Sequence, residues 1–166
     1  FFIRFLNLNL CLVIIIIFYK CLKIIFKDVD KYFLQLLCFV IFLSPTFRAL
    51  SIWPDSRIHG LLFFILSLFY FLKFSYVEKK NKYVFLNSFF LVLSSYFSPN
   101  FSVFFFYFFW NFFSHYKFNK VIIFYFIFNL ILSIPMLYYL FFLDVFFLSA
   151  GITPNSENYN HFGFEN

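Results

Sequence analysis

Short polar breaks cut this chain into long apolar runs, and that alternation leaves few folds open to it. KCLKIIFKDVDK (20–31), LSPTFRALSIWPDSRIHG (43–60), KFSYVEKKNK (73–82) and SHYKFNK (114–120) are the breaks. Between them the sequence is almost continuously hydrocarbon-like. In a bilayer no water is available to the backbone, so each crossing segment must satisfy its own N–H and C=O groups, which a helix does. Composition agrees: 64% of residues are hydrophobic and 12% are charged, against about 25% charged in soluble domains. The 36 Phe need no special aromatic role, because lipid-facing positions accept any large apolar side chain. The fold class is therefore all-α, a polytopic transmembrane helix bundle.

A crossing helix needs about 20 apolar residues. The first run gives a span over 8–26, ended by Lys20, Lys23 and Lys27. The second, 32–43, is short. Ser44 then reads as a cap with Pro45 at the first helical position, which predicts a short surface helix over 45–52. Trp53 suits the interfacial belt. The third span is 57–74, with Gly60 and Ser67 seven residues apart on one face, where small side chains allow close packing. The apolar run 83–113 is too long for one upright helix. Pro99 lacks the amide proton a helix interior needs, so the run divides into 83–97 and 101–113 around a tight turn at Ser98-Pro99-Asn100. A sixth span covers 121–143, with Pro135 as a tolerated kink. The organisation is about six spans in a helical domain over 1–149, an outer loop at 44–58, and a polar outer tail over 150–166. The sequence starts at Phe1 and its only Met is Met136, so the domain is expected to belong to a longer protein.

Charge sets the sides. With six spans, all ten lysines fall in or beside the three inner turns, while Arg4, Arg48 and Arg57 fall outside. Lysine-rich short loops are cytoplasmic by the positive-inside rule. The net charge of +6 is thus explained by topology, and nucleic acid is excluded as a partner. Cys11, Cys21 and Cys38 lie in or at the ends of apolar segments without metal-ligand spacing, and read as buried thiols.

The outer arginines run against the topology rule. A guanidinium fork grips phosphate or carboxylate in two places, so Arg57 and Arg48 are candidate phosphate ligands; the competing role is anchorage to lipid headgroups. Asp55 is a candidate general base or metal ligand, and equally a helix cap or arginine partner. His59 is a substrate-binding candidate that can also be an ordinary interfacial histidine. Tyr96 and Asn100, beside the second outer turn, can bind a polar ligand or serve only the turn. Asp144 lies on the same side. No glycine loop, nucleophile elbow or zinc motif is present. No cofactor is identified, and a divalent cation is the one left open.

The stretches SPTFRALSIWPDSRIHGLLFFILSLFYFLKF (44–74) and LNSFFLVLSSYFSPNFSVFFFYFF (86–109) resemble bacterial membrane glycosyltransferases of the GT-C type, the class of protein O-mannosyltransferases and the lipid A aminoarabinose transferase. The similarity covers about 32–142. It implies an enzyme of the bacterial inner membrane that moves a sugar from a polyprenyl-phosphate donor to an acceptor at the non-cytoplasmic face. Arg57 and Arg48 would hold the donor phosphate, and an aspartate would take the acceptor proton. In that class the acid sits in a large outer loop after the first span. That loop is absent from these residues, and Asp55 is its only candidate here. The alternatives from other classes are a transporter or flippase for a lipid-linked or anionic solute, and a non-catalytic membrane subunit.

Overall fold

The computed structural model describes residues 2–52 and 56–142. Every element in them is helical: α1 (Phe2–Ile25), α2 (Lys31–Val40), α3 (Pro45–Ile52), α4 (Ser56–Tyr76), α5 (Asn81–Phe97), α6 (Phe104–Tyr116) and α7 (Lys120–Phe142), with 3-10 turns at Ile41–Leu43 and Pro99–Val103. Trp53, Asp55, Asp144 and the tail 150–166 lie outside the described residues. Two compact units are distinguished, Phe1–Leu130 and Ile131–Asn166. The described part of the second is helical, continuing through Pro135 to Phe142.

The breaks fall where local chemistry puts them. Ser44 Oγ accepts a 3.4 Å hydrogen bond from Phe47 N, and Pro45 follows as the first residue of α3. That places the expected cap and proline, because proline forfeits an amide that has no helical partner there. α5 ends at Phe97, directly before Ser98-Pro99. The predicted first span, 8–26, starts too late: α1 is already helical at Phe2, because Asn7 and Asn9 do not stop a helix. Asn9 Nδ2 donates to the carbonyl of Phe5 one turn back, at 2.7 Å.

Among the described residues three helices are long and apolar enough to cross a membrane, Arg4–Ile25, Arg57–Tyr76 and Lys120–Tyr138. α2, α5 and α6 have 10, 17 and 13 residues. At about 1.5 Å per residue α2 is roughly 15 Å long, half of a typical hydrocarbon core.

Within the first unit α4 is the hub. It packs on α5 most extensively and on α1 next. Ring contacts give the directions. Along α4, His59, Phe63 and Tyr70 meet Phe97, Phe90 and Tyr83 of α5 in reverse order, so the two helices are antiparallel. Phe64, Phe71 and Phe74 meet Phe104, Phe108 and Phe112 of α6 in the same order, so α6 runs parallel to α4. The run 83–113 therefore does fold back on itself. Its ends meet: Tyr116 Oη donates to Asn81 Oδ1 at 2.7 Å.

The α4–α5 seam is built from small and polar residues. A Cβ on Gly60 would lie 3.2 Å from Ser98 Cβ and 3.4 Å from Phe97 Cβ, so glycine sets how closely the turn after α5 approaches. Two turns on, Ser67 and Asn87 are both fully buried. Asn87 Nδ2 donates to Ser67 Oγ at 2.8 Å and to its carbonyl at 3.0 Å, and Ser67 Oγ donates to the Asn87 carbonyl at 3.0 Å. Small residues at close helix contacts and polar side chains bonding across them are the usual means of association where lipid removes the hydrophobic driving force.

Two substitutions test this seam. A Ser67→Ala/Asn87→Ala double-mutant cycle, read by unfolding in SDS, should give a coupling of about 0.6–1.7 kcal/mol. Gly60→Leu should destabilise by about 1–3 kcal/mol through overpacking.

Candidate functional site at the arginine end

Contacts between helices assign each cation to an end of the first unit. α1 and α4 are parallel, since Lys20, Lys23 and Lys27 share a cleft with Lys73 and Val77. Lys79 lies in the α4–α5 turn and its Nζ is 3.4 Å from His115 Nδ1, near the end of α6. The turns carrying Lys20–Lys31, Lys73–Lys82 and Lys117–Lys120 thus gather at one end. Arg57 begins α4 at the other end, with about 24 Å of helix between it and Lys73. Arg4 likewise starts α1 away from the lysines of that helix.

The arginine end has a definite construction. Arg57 stands exposed in the first turn of α4, and Arg48 is exposed on α3, which packs on α1 and buries Phe47. The fold brings the start of α4 against the turn Ser98–Val103. The His59 ring stacks on Phe97 at 5.4 Å, and Phe64 stacks on Phe101 at 4.7 Å. His59 Nδ1 is buried with no hydrogen-bond partner. Tyr96 and Asn100, both exposed, flank this contact on the α5 side. Arg57, His59, Tyr96 and Asn100 therefore share one end of the α4–α5 pair. Arg48 sits on a separate helix, and Asp55 is outside the described residues.

Among the described residues no group of three His, Cys, Asp or Glu side chains could hold a metal ion. The three cysteines are buried and free. The only described carboxylate in an ion pair, Glu78 with Lys80, is in the turn between α4 and α5; the Lys80 hydrogen bond holds its carboxyl below the usual value. What the arginine end presents at its surface is guanidinium charge, an amide and a phenol: groups suited to holding an anion with polar substituents.

The sequence singles out Arg57, Arg48, His59, Tyr96 and Asn100 as candidates, and the structure brings all of these but Arg48 to one end of the α4–α5 pair. Reading the sequence missed Asn87 as the partner of Ser67, because a lone Asn in an apolar run carries no periodic signal. It also missed Phe97 as the ring beneath His59, since nothing distinguishes one of so many phenylalanines. No family model, no curated protein and no solved structure matches the chain.

The docking of the turn against α4 can be tested by cross-linking. The Cβ separation at positions 60 and 98 is 3.2 Å, a few tenths of an ångström from disulfide geometry. Gly60→Cys/Ser98→Cys should form a disulfide on mild oxidation, seen by mass spectrometry of the linked peptides. Gly60→Cys paired with a cysteine at Asn81 should not.

Proposed function

We propose that the chain is part of a polytopic membrane glycosyltransferase of the bacterial inner membrane, crossing six times, with its arginine end at the non-cytoplasmic face. In this reading α2, α5 and α6 with its preceding 3-10 turn cross as short spans beside the three long ones, and the bilayer thins to meet them. The donor is a sugar on a polyprenyl phosphate. The observation that carries the reading is the separation of cations: ammonium groups collect at one end of α4, and Arg57 stands at the other, about 24 Å away along the helix.

The chemistry follows from charge. As the bond between the anomeric carbon and the phosphate oxygen breaks, its electron pair leaves with the phosphate. The acceptor oxygen bonds to the same carbon and gives its proton to a carboxylate, for which Asp55 is this chain's candidate. Negative charge growing on the leaving phosphate is what a guanidinium at the interface would stabilise. Arg57 is assigned that role, with Arg48 as a second cation. His59, Tyr96 and Asn100 are the candidates for hydrogen bonds to the sugar or phosphate.

Carriage of an anion through the bundle, the runner-up, calls for ionisable groups or broken helices at mid-membrane. The described polar groups buried there are serines and asparagines such as Ser67 and Asn87, bonded to each other across the seam.

The test uses the longer protein in vesicles. Arg57→Ala and Arg57→Lys should each lower sugar transfer about 10²–10³-fold while membrane insertion is unchanged, because lysine keeps the charge but not the fork. Unchanged turnover in both would leave Arg57 as a headgroup anchor and overturn the assignment.

A further inference from the structure

At the other end of α4 the fold has built a second cationic feature. Lys20 and Lys23, three residues apart, share a face in the last turns of α1, and Lys27 follows in the turn just past its end. That face meets the end of α4. Together with Lys73, Ile24, Phe69 and Val77 they line an open cleft of about 500 Å³.

Four ammonium groups around one cleft repel each other unless something answers them. Among the described residues none of the four has a salt bridge. Asp28 and Asp30 share the turn with Lys27 but pair with none of them, and Glu78 is bonded to Lys80 and reaches Lys73 only weakly, through space. Lys73 is half-buried, with Nζ 4.8 Å from the centroid of Phe69 and 5.7 Å from that of Tyr83. Those rings fix its ammonium group at the cleft instead of letting it swing into water. The apolar share of the wall comes from Ile24, Phe69 and Val77.

We infer that this α1–α4 cleft is a binding site for the headgroup of an anionic phospholipid, the phosphate lying among Lys20, Lys23, Lys27 and Lys73 and the upper acyl chain along Ile24, Phe69 and Val77. A lipid is favoured over a soluble phosphate because the wall is amphipathic: cations and hydrocarbon line the same opening. Basic pockets between helices on the cytoplasmic side are where anionic headgroups bind. The inference rests on the membrane placement but not on sugar transfer, and none of its residues belongs to the arginine end.

The experiment places the full chain in phosphatidylcholine vesicles containing spin-labelled phosphatidylglycerol or spin-labelled phosphatidylcholine. It measures the motionally restricted lipid by electron paramagnetic resonance. Phosphatidylglycerol should be preferred several-fold. Lys20→Gln/Lys23→Gln/Lys73→Gln should abolish the preference, each lysine counting for up to about fivefold. Lys79→Gln/Lys80→Gln/Lys82→Gln, outside the cleft, should keep it. The cross-link between positions 60 and 98 reports an intact fold in both triple variants. No preference in the parent chain, or equal loss in both triple variants, overturns the site. Displacement of the bound lipid by millimolar inorganic phosphate would assign the cleft to a soluble anion and overturn it too. Arg57→Ala should leave the preference unchanged, so failure here and failure of the transferase reading are separable.

Discussion

The hydrogen bonds exchanged by Ser67 and Asn87 occupy the middle of the seam on which the first unit depends. In lipid an apolar helix gains little from touching another apolar helix, so contact must come from close backbone approach and from polar groups with nowhere else to bond. Gly60 supplies the first and the Ser67–Asn87 pair the second. With α5 pinned antiparallel to α4, the turn at Ser98-Pro99 returns α6 along α4. Phe64, Phe71 and Phe74 then find their ring partners in succession. The register of the aromatic core follows from two or three small and polar residues.

Most of the segmentation was legible in the sequence, because its signals are local. Ser44-Pro45 caps a helix and Ser98-Pro99 ends one for reasons contained in a few residues. The pairing of Gly60 with Ser67 followed from helical spacing alone. What could not be read was which helix those small residues face, since that is decided by the partner's surface. Asn87 and Phe97 became meaningful only once α5 was laid against α4. The first span starts at residue 8 in the sequence reading, yet α1 is helical from Phe2, and Asn9 is held within it by a side-chain bond to the Phe5 carbonyl. The number of crossings is harder. A hydropathy pattern shows where a helix is apolar, but α2, α5 and α6 are short enough that apolarity and span length part company.

Polarity of the bundle links the fold to function. The candidate phosphate ligands were chosen from the sequence because guanidinium on the non-cytoplasmic side needs a reason to be there. The fold adds that Arg57 shares its end with His59, Tyr96 and Asn100. It also adds what sequence could not give, that lysines from two separate turns converge on one cleft. The same chain thus presents two kinds of cationic surface: sparse guanidinium groups at the start of α4 and on α3, and a denser group of ammonium ions where α1 and α4 end. Asp55 bears on the first alone.

All of this requires that the two ends of α4 face different aqueous compartments. Arg57→Cys and Lys80→Cys, placed singly in the chain and treated with a membrane-impermeant maleimide from one side of intact cells, measure that directly. The native thiols at positions 11, 21 and 38 are buried and should stay silent. Position 57 should label from the non-cytoplasmic side and position 80 only after the membrane is opened. Labelling of both positions from the same side would contradict the account.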